Sequence, residues 1–428
     1  MSPVFGIDFG TSNSALSVAR NGQVELVDVD PGNPVSGTLK SILYFHKEDG
    51  EIQSYVGHEG VNQYIANEAE GRYMQSIKTF LPDTGFEKTS VYGTSHTLES
   101  LIAIILRTIK ERGEAAIGEE AGSLVLGRPV VFSHDSQRER VAQDRLVRAA
   151  KLAGFKEVTF QLEPIAAALA YEKHLGRGRE ELVMVGDFGA GTSDFTIHRA
   201  KGGRKGSDLS GTGDILSVGG VYIGGDNFDA GIMRDRVAVH YGKNVRVKSM
   251  FSDNTTGLSP LVIRKLMKWH LIPQLRRPRT LDNIRELKVG AGLRDKQRLE
   301  NLENLIRLNY GYLLFRAIEA AKCTLSDNDS AQVMFDDYDI RIEETIPRPE
   351  FQEMIRDDAV RIGNSVDETL AKAGLTPDDI DVVFLTGGSS YIPLIRSIFE
   401  TRMGADKIRT ADAFTSVAYG LGLYGSMC

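Results

Sequence analysis

Cysteine is almost absent from this chain: Cys323 and the terminal Cys428 are its only two among 428 residues. Two are too few for a disulfide framework or a cysteine-based metal centre, and they fit a reducing compartment. Long apolar runs are missing too. The densest, LIAIIL at 101–106, is far shorter than the ~20 residues a bilayer requires. The opening MSPVFGIDFG has no basic stretch ahead of an apolar one, so no secretory signal is read there and a cytoplasmic protein is expected. Positive charge is not in excess either. Lys and Arg number 51 against 58 Asp and Glu, a net charge of −7, which argues against nucleic acid and membrane surfaces as partners of the whole chain.

What remains is the composition of an ordinary globular protein, 41% hydrophobic and 25% charged. Its length exceeds one ordinary core, so two domains or two lobes are expected. The chain also repeats itself: GIDFGTSNS begins at Gly6 and GDFGAGTSD at Gly186. In the first copy VFGIDFG reads as a buried strand, SALSVA as a half-buried alternating strand, and Asn21-Gly22 as a primed hairpin turn into VELVDV. In the second, LVMVGDFG and FTIHRA are the strands, the turn carries Ala190 and Gly191 as two extra residues, and the Gly- and Ser-rich stretch GGRKGSDLSGTGD leads into ILSVGGVYIGG. One antiparallel meander is thus used twice.

Helical patterns lie around these strands: SHTLESLIAIILRTIKERGEAAIG, SQRERVAQDRLVRAAKLAGF closed by Gly154, EPIAAALAYEKH, and FQEMIRDDAVRIGNSVDETLAKAG. Strands alternating with helices in two related halves predict an α/β architecture with a cleft between lobes.

A strand that ends Asp-Phe-Gly and continues with hydroxyl residues exposes backbone N–H groups in a tight turn that suits polyphosphate oxygens. Thr11, Ser12 and Thr192 add hydroxyl donors, and Asp8 and Asp187 are placed to hold Mg²⁺ through its waters. Two such turns would grip a triphosphate from both sides. A lone turn of this kind is usually only an Asp side chain bonding its own backbone, but here it occurs twice in matching context. Other phosphate motifs fail. No kinase catalytic loop and no P-loop accompany the Asp-Phe-Gly. GLGLYG at Gly420 fits Gly-x-Gly-x-x-Gly only by accident, because no βαβ unit follows it.

The sequence resembles a DnaK-like (heat shock protein 70 family) chaperone ATPase, within the actin, sugar kinase and heat-shock ATPase superfamily. The stretches that carry the resemblance run in the family's order: GIDFGTSNS, SIKTF around Lys78, HDSQRERV from His134, EPIAAALAY from Glu163, GDFGAGTSD, IGGDNFD from Ile223, EAAKCTLS from Glu319, LTGGSSYIP from Leu385 and SVAYGLGL from Ser416. The resemblance implies an actin-like ATPase fold of two ribonuclease-H-like lobes flanking a nucleotide cleft. It divides the chain into lobe I, 1–177 with 410–428, and lobe II, 178–409. It implies Asp8 and Asp187 as holders of Mg²⁺, Thr11 and Thr192 on the terminal phosphates of ATP, and Lys78 and Glu163 beside the attacking water. Gly10, Ser12, Asn13, Gly189, Ala190 and Gly191 complete the two turns, and Gly224, Gly225 and Asp226 close over the phosphates. For the nucleoside it implies Glu319, Lys322 and Ser326 on one helix face, and Gly387, Gly388 and Ser389 in a turn beneath the base.

Departures are visible. The family's two adenine-sandwiching arginines are Cys323 and Tyr391 here; Tyr391 can still stack on a base, while Cys323 supplies no cation. Ala190 replaces a glycine, which requires a negative φ. The chain also stops after SVAYGLGL, so no peptide-gripping domain is expected.

From 250 to 309 the resemblance fades. Arg264, Lys265, Lys268, Arg276, Arg277, Arg279 and further bases up to Arg298 surround Trp269, the only tryptophan. Helices with solvated basic faces and one buried Trp is the reading placed ahead of a docking surface for an acidic partner. The expectation is a monomeric, Mg-dependent ATPase that hydrolyses ATP slowly, switches its lobes with nucleotide, and works with protein clients or cochaperones. The alternatives are a sugar or carboxylate kinase of the same superfamily, and an actin-like filament or scaffold protein.

Overall fold

The structure is a computed structural model that describes residues 2–68, 70–133, 135–173, 175–203, 214–248, 255–337, 340–410 and 415–427. His134, most of the Gly- and Ser-rich stretch after Lys201, the start of the basic segment and Cys428 lie outside the described residues. By its internal contacts the chain forms two units: 1–222 with 362–390 and 396–428, and 223–361 with 391–395. Both copies of the repeated motif lie in the first unit. The expected lobe boundary at 177/178 falls between the two sheets of that unit.

The first sheet is built from β1 (Val4–Phe9), β2 (Asn13–Arg20), β3 (Gln23–Val27), β4 (Ser123–Arg128) and β5 (Glu157–Leu162), in the order β5-β4-β1-β2-β3, with Thr38–Lys40 a short extra strand on β2. The second contains β6 (Glu180–Phe188), β7 (Ser193–Lys201), β8 (Ile215–Val221), β9 (Val382–Thr386) and β10 (Ile408–Thr410), in the order β10-β9-β6-β7-β8. The two orders are the same. In each sheet an antiparallel meander is extended on one edge by two parallel strands. The turn between β2 and β3 is the primed type the sequence announced, with Asn21 at φ 52° and Gly22 at φ 75°.

Two features of the meanders depart from expectation. Phe9 pairs with Ser14 and Phe188 with Ser193, so each turn has four residues between matched strand partners, Gly10–Asn13 and Gly189–Thr192. Ala190 and Gly191 are therefore not extra, and Thr192 occupies the position of Asn13 rather than that of Thr11. Further, β2 does not alternate between buried and solvated: residues 14 to 19 are all buried. The strand lies inside its sheet with helices on both faces, so it reads like a central α/β strand.

Helices α1 (Leu98–Ile117) and α2 (Ser136–Leu152) cover one face of the first sheet. There Phe5, Ile7 and Phe9 of β1 and Leu124 and Leu126 of β4 join Leu101, Ile102, Ile105 and Leu146 in one apolar core. The opposite face meets helices α3 (Glu163–Glu172) and α4 (Ser416–Gly425). Val125, Ala166, Ala167, Val183, Val185, Val417 and Leu421 form a second core there, drawing on both sheets. An all-round apolar helix such as α3, with Ala166, Ala167 and Ala168 at 0% exposure, suits that enclosed layer.

The glycines of GLGLYG belong to this layer. A Cβ on Gly420 would lie 1.7 Å from the carbonyl oxygen of Ala166, and one on Gly422 2.6 Å from Ser17 Oγ. They let α4 press against α3 and β2, and have no part in dinucleotide binding. The stretch expected as one helix from Phe351 is two, Arg348–Met354 and Arg356–Ala373, parted at Ile355. Among the described residues no helix is long and apolar enough to cross a membrane.

Candidate functional site

Strand periodicity places the two motif aspartates. Side chains alternate along β1, so Asp8 shares the face of Val4 and Gly6, opposite Phe5, Ile7 and Phe9. Asp187 shares the face of Val183 and Val185, which pack in the layer between the sheets. Both carboxylates thus stand at the C-terminal ends of equivalent central strands and belong to one layer. Glu163 begins α3 in the same layer, where its charge favours the positive helix N-terminus.

Lys78 comes from the first sheet's side of the molecule, on a single 3₁₀ turn, Ile77–Phe80. Its Nζ donates to Glu163 Oε1 at 2.8 Å, and the two side chains are 12% and 11% exposed. Asp194, on β7, is the remaining member. Thr192 donates its hydroxyl to the Asp194 carboxyl, helping to hold it charged. Asp194 was not among the residues selected from the sequence, although the repeated Thr-Ser-Asn and Thr-Ser-Asp endings put it in view.

Among the described residues four carboxylates surround one ammonium, and the electrostatics reflect that imbalance. Asp8 is pushed up to about 7, by burial first and then by Glu163, with Lys78 pulling the other way. Burial together with Glu163, Asp194 and Asp8 raises Asp187 well above the usual carboxylate range. Asp194 rises to about 6, chiefly through burial. Lys78 is held charged: burial opposes this, and Glu163 and Asp8 overcome it. Such a cluster lacks positive charge.

The turns themselves are tight. A Cβ on Gly10 would lie 2.1 Å from the carbonyl oxygen of Asn13, and Asn13 Oδ1 is enclosed without a hydrogen-bond partner among the described residues. In the second turn Gly189 N–H donates to Thr192 O at 2.9 Å. Ala190 is not among the residues with positive φ, as its replacement of glycine requires. Gly387 follows directly on Thr386, the strand partner of Asp187. It has φ 82°, and a Cβ there would be 2.2 Å from Phe188 O, so only glycine fits. Gly388 and the buried Ser389 continue that turn at the end of β9, the strand paired with β6.

The Hsp70 protein family model matches residues 4–254 and 306–427. The chain belongs to the Hsp70 family. Its fold is accordingly the actin-like ATPase fold, and the match covers the stretches that hold Asp8, Lys78, Glu163, Asp187 and Asp194. As an Hsp70-family chain it is a chaperone-family ATPase. The match is interrupted over 255–305, most of the stretch where the sequence resemblance faded.

The residues present fit the hydrated divalent ion and nucleotide that Hsp70 domains take. The carboxylate surplus asks for a cation, and among the described residues no three acid, histidine or cysteine side chains are gathered closely enough to grip an ion directly. An ion that keeps its waters is the species such spacing suits. Asp8 and Asp187 would hold it, and Gly10, Thr11, Ser12, Asn13, Gly189, Ala190, Gly191 and Thr192 would take the phosphates.

In the second unit the structure brings IGGDNFD and the helix Gly311–Asp327 together. Lys322 Nζ lies 3.0 Å from Asp229 and 3.4 Å from the carbonyl oxygen of Gly225. Asp229 is pushed up to about 7, with burial raising it and Lys322 opposing, and burial also raises Asp226. Lys322 is buried and its ammonium is engaged by Asp229, while Ser326 is half-buried and Cys323 and Tyr391 are exposed.

The basic segment of that unit is partly self-neutralised. Lys288 bonds Glu300 and Glu303, Arg285 bonds Glu303, and Arg276 donates to the carbonyls of Ile306 and Arg307. Trp269 is half-buried against Tyr312 rather than fully buried, because it opens a short surface 3₁₀ helix, Trp269–Arg276.

Proposed function

We propose that this chain binds Mg-ATP at the Asp8–Lys78–Glu163–Asp187 cluster and hydrolyses it slowly with water as nucleophile. The observation that supports this most is the enclosed Lys78–Glu163 pair, set among carboxylates at the ends of two equivalent strands. When bound, the hydrated Mg²⁺ would neutralise phosphate charge and template the triphosphate. Lys78 stays protonated and supplies positive charge where the terminal phosphoryl group gains negative charge. Glu163 holds the Lys78 ammonium and accepts a hydrogen bond from the attacking water. Thr11 donates its hydroxyl to a phosphate oxygen, and Thr192 turns its hydroxyl from Asp194 to the nucleotide when the phosphates are bound. Glu319, Lys322, Ser326, Gly387, Gly388, Ser389 and Tyr391 are assigned to the nucleoside. Loss of the terminal phosphoryl group would then be read as a conformational switch by a protein client or cochaperone.

Calorimetry with Mg-ATP, followed by phosphate-release kinetics on the same sample, tests the reading. Asp8→Ala and Thr192→Val should each cut turnover by ~10²-fold while leaving thermal melting near that of the parent. Unchanged rates in both would reject it.

A further inference from the structure

The loop that carries Lys78 has little structure of its own. After the Ile77–Phe80 turn, residues 81–87 form no helix or strand, and the loop's internal backbone bonds are short-range ones such as Asp83 N–H to Phe80 O and Phe86 N–H to Asp83 O. Just before Lys78, Ser76 takes a left-handed conformation at φ 57°. A stretch of this kind must find donors elsewhere for its inward carbonyls.

A single side chain provides them. Arg145 of α2 is 7% exposed. Its Nη1 lies 3.1, 3.0 and 2.8 Å from the carbonyl oxygens of Phe80, Leu81 and Asp83, and its Nη2 donates to Phe86 O at 2.7 Å. On its other side Glu99, in the first turn of α1, stands 3.8 Å from Nε. All four carbonyls come from the run that begins two residues after Lys78. A planar fork is needed to serve Phe86 with one nitrogen and the other three with the second; an ammonium, with its donors at one point, cannot span them.

We propose that Arg145 is a positioning residue for Lys78. It fixes the course of residues 80–86, and so fixes the point from which the Lys78 ammonium reaches Glu163 at 2.8 Å. The Ser76 carbonyl, which accepts from Thr79 N–H and Thr79 Oγ1, closes the turn around Lys78, and Arg145 anchors the loop beyond it. The inference rests on the assignment of Lys78 and Glu163 to phosphoryl chemistry, where a displacement of about 1 Å lowers rate steeply. Arg145 touches no reacting atom and acts only through the loop.

The test uses the full chain with Arg145→Lys, and Glu99→Gln as the milder second variant in case Arg145→Lys does not fold. Phosphate release at saturating Mg-ATP is compared in each variant, alone and combined with Lys78→Ala. Hydrogen exchange over 77–86 and acetylation of Lys78 by acetic anhydride are followed by peptide mass spectrometry. Expected for Arg145→Lys is turnover lowered about tenfold with KM within about twofold, and no further loss when Lys78 is already alanine. Exchange over 77–86 and acetylation of Lys78 should rise while the rest of the first unit is unchanged. Glu99→Gln should move each readout the same way, less far. An equal loss of turnover with and without Lys78 would make Arg145 merely structural and overturn the proposal. So would unaltered exchange and acetylation. If the parent chain releases no phosphate, the catalytic reading fails by itself, and the exchange and acetylation arms still decide whether Arg145 positions Lys78.

Discussion

Lys78 and Glu163, 85 residues apart in the chain, meet at 2.8 Å with both side chains almost enclosed. Removing one partner leaves the other charged, buried and misplaced. Lys78→Ala and Glu163→Gln should therefore each lower turnover by ~10²- to 10³-fold, while the affinity for Mg-ADP, measured by calorimetry, changes only a few-fold. A loss of affinity equal to the loss of rate would instead make the pair a ground-state binding element.

The carboxylate surplus around Asp8, Glu163, Asp187 and Asp194 predicts that free nucleotide is repelled. Chelating Mg²⁺ with EDTA should weaken ATP binding at least about tenfold, and Asp187→Asn should reduce that dependence. Titrations with and without chelator check both effects. Equal affinity in the two conditions would contradict the assignment of the aspartates to the ion.

Gly420 is where α4 crosses α3 over the Ala166 carbonyl, with only 1.7 Å available to an added methyl. Gly420→Ala should force the helices apart and cost about 2–3 kcal/mol, read as a clear drop in melting temperature. Gly176→Ala, where an added Cβ meets nothing within 4 Å among the described residues, should leave melting nearly unchanged.

In the second unit Glu303 is 3% exposed and bonds both Lys288 and Arg285. Burial alone would raise its carboxyl, but the two cations outweigh burial and hold it below its ordinary value of 4.5. A depressed carboxyl stabilises the fold above its unfolded pKa, and that contribution is lost as pH falls through the lower folded value. The difference in stability between the parent and Glu303→Gln, about 1–2 kcal/mol near neutrality, should thus hold constant from pH 7 to about pH 5 and shrink below pH 4.5. Thermal melts across that range check it. A difference that grew on acidification would refute the sign.

The strand-turn-strand repeat was legible because Asp-Phe-Gly occurs twice between apolar runs, and the helices because their apolar spacing is regular. Register was not legible. Aligning Thr11-Ser12 with Thr192-Ser193 by identity suggested unequal turns, whereas the Phe9–Ser14 and Phe188–Ser193 pairings show equal ones. The burial of β2 on both faces depends on α4, some 400 residues downstream, as the bond from Ser17 Oγ to Ala418 O illustrates. Arg145 was invisible for a similar reason. On a helix rich in alternating charge it reads as one more solvated arginine, and only the tertiary fold sets the 80–86 carbonyls around it.

Equal turn length has a consequence for engineering. The segments Gly10–Asn13 and Gly189–Thr192 could be exchanged, or one duplicated in both places, without shifting a single cross-strand partner. Chimeras of that sort would separate what each turn contributes by its chemistry from what the shared backbone contributes by its shape.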